Sequence, residues 1–357
     1  MESFRSVAEV IVTDSLGPVS GGRRYVTVDV FTQQVFGGNP LAVVLDAQGL
    51  TTTQMQAIAT EFNYSETTFV LPPRDPNHTA HVRIFTARIE VPFAGHPNVG
   101  TAVALAKGIE ARGTSPPERF LFEEAAGLVA IRLLREGGAV VGAELTAPQP
   151  LTVGSKVSVD EAAACVMLSP REIATSTHPP QVVSVGLPFL VVELASRDAL
   201  SRARPDAAAH ERIFPPNGTD GVFAYVRGSE VGQLHARMFA PLDATVEDPA
   251  TGSATGAVIA LLTQLKPEAD TDLTWRIEQG VDMGRPSLIV GRTEKRAGVV
   301  TAVRIAGHAV LVMQGVLRTS AGWVRPRRPD ACASSGADPA RRLPQIRDLA
   351  KTAIRLI

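Results

Sequence analysis

His81-Val82-Arg83-Ile84-Phe85 recurs in the second half of the chain as His235-Ala236-Arg237-Met238-Phe239. Each segment reads as a strand, and each is followed by a Gly-rich turn that opens an apolar, Ala-rich run. The first turn is Ala94-Gly95-His96-Pro97-Asn98-Val99-Gly100-Thr101-Ala102; the second is Ala250-Thr251-Gly252-Ser253-Ala254-Thr255-Gly256-Ala257. The strand segments start 154 residues apart, at 81 and 235, and Gly100 and Gly256 lie 156 apart. Solenoid repeats run about 20–50 residues, so a period this long marks a duplicated lobe. A helix start leaves N–H groups unpaired and carries partial positive charge. Two such starts facing one another across a cleft form a cradle for a small anion.

The rest of the chain fits that reading. Its 357 residues correspond to about two domains at roughly 150 residues each. With 45% hydrophobic and 20% charged residues it has the composition of a soluble globular enzyme. A net charge of −1 and only 5% aromatic residues give no electrostatic footprint or stacking platform for nucleic acid. No run approaches the eighteen or so apolar residues that span a bilayer. Met1 to Arg24 lacks the apolar core and cleavage site of a signal peptide. Cys165 and Cys332 are isolated, without metal or redox spacing. The expected setting is the reducing cytoplasm, with no membrane and no nucleic acid as partner.

Residues 1–23 are expected to be a flexible N-terminal extension ending in Gly17-Pro18-Val19-Ser20-Gly21-Gly22. A first lobe spans 24–147. A second spans 148–324, with a final strand free to return to the first. Residues 325–357 are expected to form a Pro/Arg/Ala linker and a short amphipathic helix, with Leu343, Ile346, Leu349, Ala350, Ala353, Ile354 and Ile357 at helical spacing. Helices are expected over Thr51–Glu61, from Gly95 to about Lys107, over Val159–Met167 and after Gly252. The C-terminal strands are expected at Gly298–Ile305, Ala309–Met313 and Val316–Thr319. Many short strands with one apolar helix per half give two similar α+β lobes. Gly100 and Gly256, inside those helices, are expected to let helix and sheet approach closely.

Four polar residues sit on the repeated turns or on the segments feeding them. Glu66 precedes an apolar strand and reads either as a functional carboxylate or as a solvated strand end. His96 opens a helix, where the positive end of the dipole lowers its pKa; it is a neutral hydrogen-bonding group or a turn residue. Asp248 lies in an Asp-Pro turn, and Ser253 is placed to cap the second helix. Each has a structural explanation alone; their joint placement on duplicated turns points to a site.

Four blocks, three of which contain these residues, resemble the phenazine-biosynthesis PhzF-like family. They are Asp29-Val30-Phe31-Thr32 with Gly38-Asn39-Pro40-Leu41-Ala42-Val43-Val44, then Asn63-Tyr64-Ser65-Glu66-Thr67, then Pro92-Phe93-Ala94-Gly95-His96-Pro97, and Glu247-Asp248-Pro249-Ala250-Thr251-Gly252-Ser253-Ala254. Gly284-Arg285-Pro286-Ser287 is similar to a further family segment. The resemblance covers about residues 24–322. It implies the diaminopimelate-epimerase-like fold: α+β, two pseudo-symmetric lobes, each a curved mixed sheet around a central helix. It implies Glu66 as the catalytic general acid/base, with Gly95, His96, Asp248, Gly252 and Ser253 binding substrate between the lobes, and neither cofactor nor metal. The implied reaction is a dihydro-hydroxyanthranilate-type isomerisation, in which a proton leaves one ring carbon and returns at another. Racemases on the same fold carry a cysteine at each helix turn, whereas this chain has Gly95-His96 and Gly252-Ser253 there. A two-thiol racemase is therefore not expected.

The leading expectation is a cofactor-independent isomerase of a small carboxylate-bearing metabolite, working as a homodimer. The alternatives are an epimerase or lyase of a cyclic amino acid using Glu66 and His96 as a pair, and a non-catalytic small-ligand binder.

Overall fold

The structure is a computed structural model that describes residues 22–217, 221–242 and 246–318. The amphipathic segment 343–357 and most of the N-terminal extension lie outside the described residues. Gly22 and Arg23, read from sequence as the end of a flexible lead-in, are strand instead, paired with Arg318 and Leu317.

The first half runs β1 (Gly22–Val30), β2 (Asn39–Val44), α1 (Thr52–Phe62), β3 (Glu66–Leu71), β4 (Ala80–Phe85), β5 (Glu90–Val91), α2 (Gly95–Glu110), β6 (Arg119–Glu124), β7 (Gly127–Glu136) and β8 (Ala139–Thr146). After β9 (Thr152–Lys156) and α3 (Val159–Cys165), the second half repeats the order. It runs β10 (Gln181–Ser184), β11 (Pro188–Glu193), α4 (Arg197–Arg202), α5 (Ala207–Asn217), β12 (Val222–Arg227), β13 (Gln233–Phe239), β14 (Glu247–Asp248), α6 (Gly252–Gln264), β15 (Thr271–Gln279), β16 (Ser287–Arg296) and β17 (Val299–Arg318).

Strand pairing repeats as well. The crossovers β2 to β3 and β11 to β12 are parallel, and so are β4 with β6 and β13 with β15. These registers set His81 opposite Glu123 and His235 opposite Glu278, so Glu124 and Gln279 occupy equivalent positions at the ends of β6 and β15. The arginine of the repeated pentapeptide has one task in both halves. Arg83 grips the Glu90 carboxylate with two bonds of 2.7 Å, and Arg237 grips Glu247 with two of 2.8 Å. Each clip fastens the two-residue strand that leads into a central helix, and paired N–H···O contacts fix orientation as well as distance.

All seventeen strands among the described residues join one mixed sheet rather than two separate ones. The cause is β17, read from sequence as three short strands but continuous for 20 residues. It pairs with β16 at one end, with β8 near Arg304–His308, and with β1 from Ala309 to Arg318. The core clusters around α2 and α6, which are apolar almost all round and buried along nearly their whole lengths. Helix and sheet touch at the expected glycines. A Cβ on Gly100 would come within 2.6 Å of Leu41 Cδ2 and 2.7 Å of Val30 Cγ2, and one on Gly256 within 3.1 Å of Val185 Cγ2.

Candidate active site

The starts of α2 and α6 meet. A Cβ on Gly95 would sit 3.8 Å from both Gly252 Cα and Ser253 N, so a side chain at Gly95 would fill the space between the two starts. Neither helix has a side-chain cap: its N-cap residue is Ala94 in α2 and Thr251 in α6. Ser253, expected from sequence to cap α6, lies inside its first turn and is half-buried. By contrast, α1 closes its own start with a Thr51–Gln54 capping box. The two central starts thus keep N–H groups unclaimed by caps where they face each other.

Glu66 is the first residue of β3, carried there by the parallel pairing that places it opposite Leu41. Its Oε2 is sealed from solvent and lies 3.4 Å from His96 Nε2 in the first turn of α2. The Glu66 side chain is 19% exposed and that of His96 6%, so the carboxyl can be reached while the imidazole is enclosed. Burial lowers the His96 pKa to about 3, which keeps the ring neutral at any ordinary pH. The direction agrees with the sequence reading, but desolvation rather than the helix dipole is the leading cause. The equivalent of Glu66 in the second half, at the start of β12, is Val222. The two halves therefore differ at this position, a carboxylate in the first and a valine in the second.

Asp248 comes from the other half and is fully enclosed by donors. Asn39 Nδ2 reaches its Oδ1 at 2.7 Å, Ser65 Oγ reaches the same oxygen at 3.1 Å, and Thr251 Oγ1 reaches Oδ2 at 2.6 Å. Burial raises its pKa to about 6, against the pull of these three donors. It therefore joins the two halves: Ser65 precedes Glu66, while Asn39 also lies 3.4 Å from His96 Nδ1. Gln279 holds the turn from behind. Its Nε2 donates to Asp248 O at 2.8 Å and Thr251 Oγ1 at 3.0 Å, while its Oε1 accepts from Thr251 N at 3.1 Å.

The structure thus gathers Glu66, His96, Asp248, Gly95, Gly252 and Ser253 at one place. Sequence reading missed Asn39, Ser65, Thr251 and Gln279. The first three lie within the quoted blocks, beside residues that were singled out, and an amide or hydroxyl gives little signal of its own. The Gly284-Arg285-Pro286-Ser287 segment supports the site from below. Arg285 donates to Asp29 Oδ1 and Gly37 O at 2.6 Å and to Gly38 O at 2.8 Å, and Ser287 Oγ donates to Pro249 O at 3.0 Å. Gly38, at φ +62°, has no room for a Cβ against Val30 O; that turn delivers Asn39.

Residues 28–315 match the family described as phenazine biosynthesis-like protein. The chain belongs to this family. It is 40% identical over 301 residues to an uncharacterised isomerase of Mesorhizobium japonicum, covering 83% of this chain and 98% of that protein. It is 37% identical over 295 residues to the trans-2,3-dihydro-3-hydroxyanthranilate isomerase of Pseudomonas chlororaphis, covering 82% and 98% respectively. In fold it is similar to a crystal structure of the Bacillus anthracis phenazine biosynthesis protein of the PhzF family. That match has a TM-score of 0.73 and 24% identity, over 83% of this chain and 99% of the other. The protein is an isomerase of this family.

Cavities of about 370 and 390 Å³ lie in the first half, and both are lined in part by Arg74 and Glu124. Glu124 is 9% exposed. Burial raises its pKa to about 8 although Asn98, in the first turn of α2, pulls the other way. Among the described residues, no cluster of three or more His, Cys, Asp or Glu side chains could hold a metal ion, and no helix is long and apolar enough to cross a membrane.

Proposed function

We propose that this protein moves a proton between two carbons of a small carboxylate-bearing ring compound of the dihydro-hydroxyanthranilate type, without a cofactor, using Glu66 as the base and acid. The observation that carries this reading is the pairing of Glu66 with a neutral His96 beside two uncapped helix starts. Supporting it, relatives at 37% and 36% identity are named trans-2,3-dihydro-3-hydroxyanthranilate isomerases.

Each group has a task in the reaction. The substrate carboxylate rests on the N–H groups at Gly95 and Gly252, where partial positive charge favours an anion. Glu66 takes a proton from a ring carbon. Negative charge developing in the ring is stabilised by the same N–H groups. The protonated Glu66 then returns the proton at a second carbon and is restored, so a single carboxyl serves both transfers. Ser253, in the first turn of α6, adds a hydroxyl to the substrate-binding rim. Asp248 acts from within the protein, holding Ser65 and Asn39 and through them Glu66 and His96. The reading includes the diaminopimelate-epimerase-like arrangement of two lobes, which the repeated strand order supports, and a cytoplasmic homodimer.

The test is turnover of trans-2,3-dihydro-3-hydroxyanthranilate in deuterated water. Isomerisation with partial retention of the migrating hydrogen is expected, since one carboxyl carries it. Exchange at a single carbon without net isomerisation would instead establish an epimerase, and tight binding without exchange would establish a binder.

A further inference from the structure

We infer that Gln279 is a positioning residue that keeps the start of α6 open for the substrate carboxylate, because its amide gives the Thr251 hydroxyl the donor that Thr251 would otherwise take from the helix. The inference deepens the reading of the helix starts as the carboxylate cradle and rests on that reading for its effect on binding. The placement of Thr251 stands on geometry alone.

A Thr or Ser at a helix N-cap ordinarily accepts a hydrogen bond from a backbone N–H of the first turn. This chain follows the rule at α1, α3 and α4, where Thr51, Ser158 and Ser196 accept from Gln54 N, Glu161 N and Ala199 N. Thr251 occupies the same position at α6 and makes no such bond. Its hydroxyl turns back towards Asp248 and Gln279, and all three residues are buried. The Gln279 amide satisfies its neighbours in one orientation only. One end lies 2.8 Å from Asp248 O, which can only accept, and the other lies 3.1 Å from Thr251 N, which can only donate. The first end is therefore the NH2 and the second the oxygen. That NH2 also reaches Thr251 Oγ1 at 3.0 Å. The hydroxyl accepts there and sends its single hydrogen to Asp248 Oδ2 at 2.6 Å.

The first half reaches the same openness by another route. Helix α2 starts on Ala94, which has no hydroxyl to cap with, and Glu124 stands at the position of Gln279. The amide is thus present where the cap residue has to be held back and absent where it cannot cap. Without Gln279 the buried Thr251 oxygen would lack a donor, a costly state. The N–H groups of Ser253 and Ala254, in the first turn of α6, are the donors within reach of a cap residue. Capping would then compete with the substrate carboxylate for the helix start.

Steady-state kinetics with trans-2,3-dihydro-3-hydroxyanthranilate and a crystal structure of Gln279→Leu test this. Gln279→Leu is expected to raise KM by about 5–30-fold, the range set by the free energy of a side-chain cap, with a smaller change in kcat. Thr251→Val cannot cap. It is expected to hold KM within about threefold of the wild type while kcat falls, since Asp248 loses a donor. Combining the two substitutions is expected to return KM to the Thr251→Val value, which the loss of a merely structural amide would not do. In the Gln279→Leu structure, Thr251 Oγ1 is expected within about 3.2 Å of Ser253 N or Ala254 N. A KM unmoved by Gln279→Leu, or raised and not restored by Thr251→Val, would overturn the inference. If Gln279→Leu does not fold, Thr251→Val decides: a KM raised more than about fivefold would overturn it, because the hydroxyl would then serve the substrate directly. A Thr251 that stays off α6 in the Gln279→Leu structure would overturn the role of the amide and leave the cradle standing. A capped α6 with KM unmoved would overturn the effect on binding and count against the cradle itself.

Discussion

Glu124→Gln should make this protein more stable at neutral pH. Glu124 ends β6 at the position that Gln279 holds in β15, and Gln279 satisfies the turn before α6 with both ends of its amide. In the first half a carboxyl stands there, with a folded pKa of about 8 against an ordinary 4.5. The folded value is the higher, so the contribution is fully present below about pH 4.5 and is lost as pH rises through about 8. Integrating proton binding between these values gives a cost of about 3 kcal/mol at pH 7. A glutamine has the same shape and carries no charge to desolvate. Its NH2 can donate to Asn98 Oδ1, which is buried without a partner. Allowing about 1 kcal/mol for an imperfectly paired amide, the net gain is about 2 kcal/mol, or roughly 3–6 °C in melting temperature. Thermal unfolding of both proteins from pH 5 to pH 9 measures it. The gap should be near zero at pH 5 and widen steadily to pH 8. A variant no more stable than the wild type at pH 8, or a gap independent of pH, would refute the argument.

Glu66→Gln keeps shape but cannot cycle a proton, so turnover should fall by at least about 10²-fold with calorimetric affinity for the substrate largely unchanged; near-normal turnover would shift the base to another group. The rate should decline as pH falls through about 6, where Asp248 gains a proton and one of its donors loses its acceptor. Asp248→Asn should lower turnover at neutral pH by about tenfold or more and remove that acid limb, because an amide sets its own N–H against the Asn39, Ser65 or Thr251 donors. Since the Asp248 pKa is raised above its ordinary 3.8, its ionisation costs stability as pH climbs from about 4 to 6, and urea denaturation across that window should show the decline. Gly100→Ala should destabilise by about 1–3 kcal/mol through overpacking against Leu41 and Val30, and Gly256→Ala by less, since its nearest neighbour is 3.1 Å away; equal losses would contradict the packing described.

The sequence by itself determined the duplication, and the reason is physical. Each half must repeat a strand, a clip and a helix start to build its own apolar centre, so the pentapeptide with its arginine, the paired glycine turns and the largely apolar helices appear as spaced patterns. It also placed Glu66, His96, Asp248 and Ser253 on the segments that converge, because a turn that opens a central helix is marked by local residue types. Tertiary structure decided the rest. Nothing local in Val299 to Arg318 shows one strand rather than three; its continuity comes from three partners far apart in sequence, β16, β8 and β1. The apolar spacing of residues 197–217 does not mark α4 and α5, whose positions come from packing over the second crossover. Asp248 reads from sequence as a substrate ligand near a positive helix start. Only the folded chain shows it enclosed by Asn39, Ser65 and Thr251, with burial outweighing those donors in its pKa. Asn39 and Gln279 carry no local signature either, since an amide acquires its role from whichever acceptors the fold brings within about 3 Å, and here those come from the opposite half or from the turn before α6.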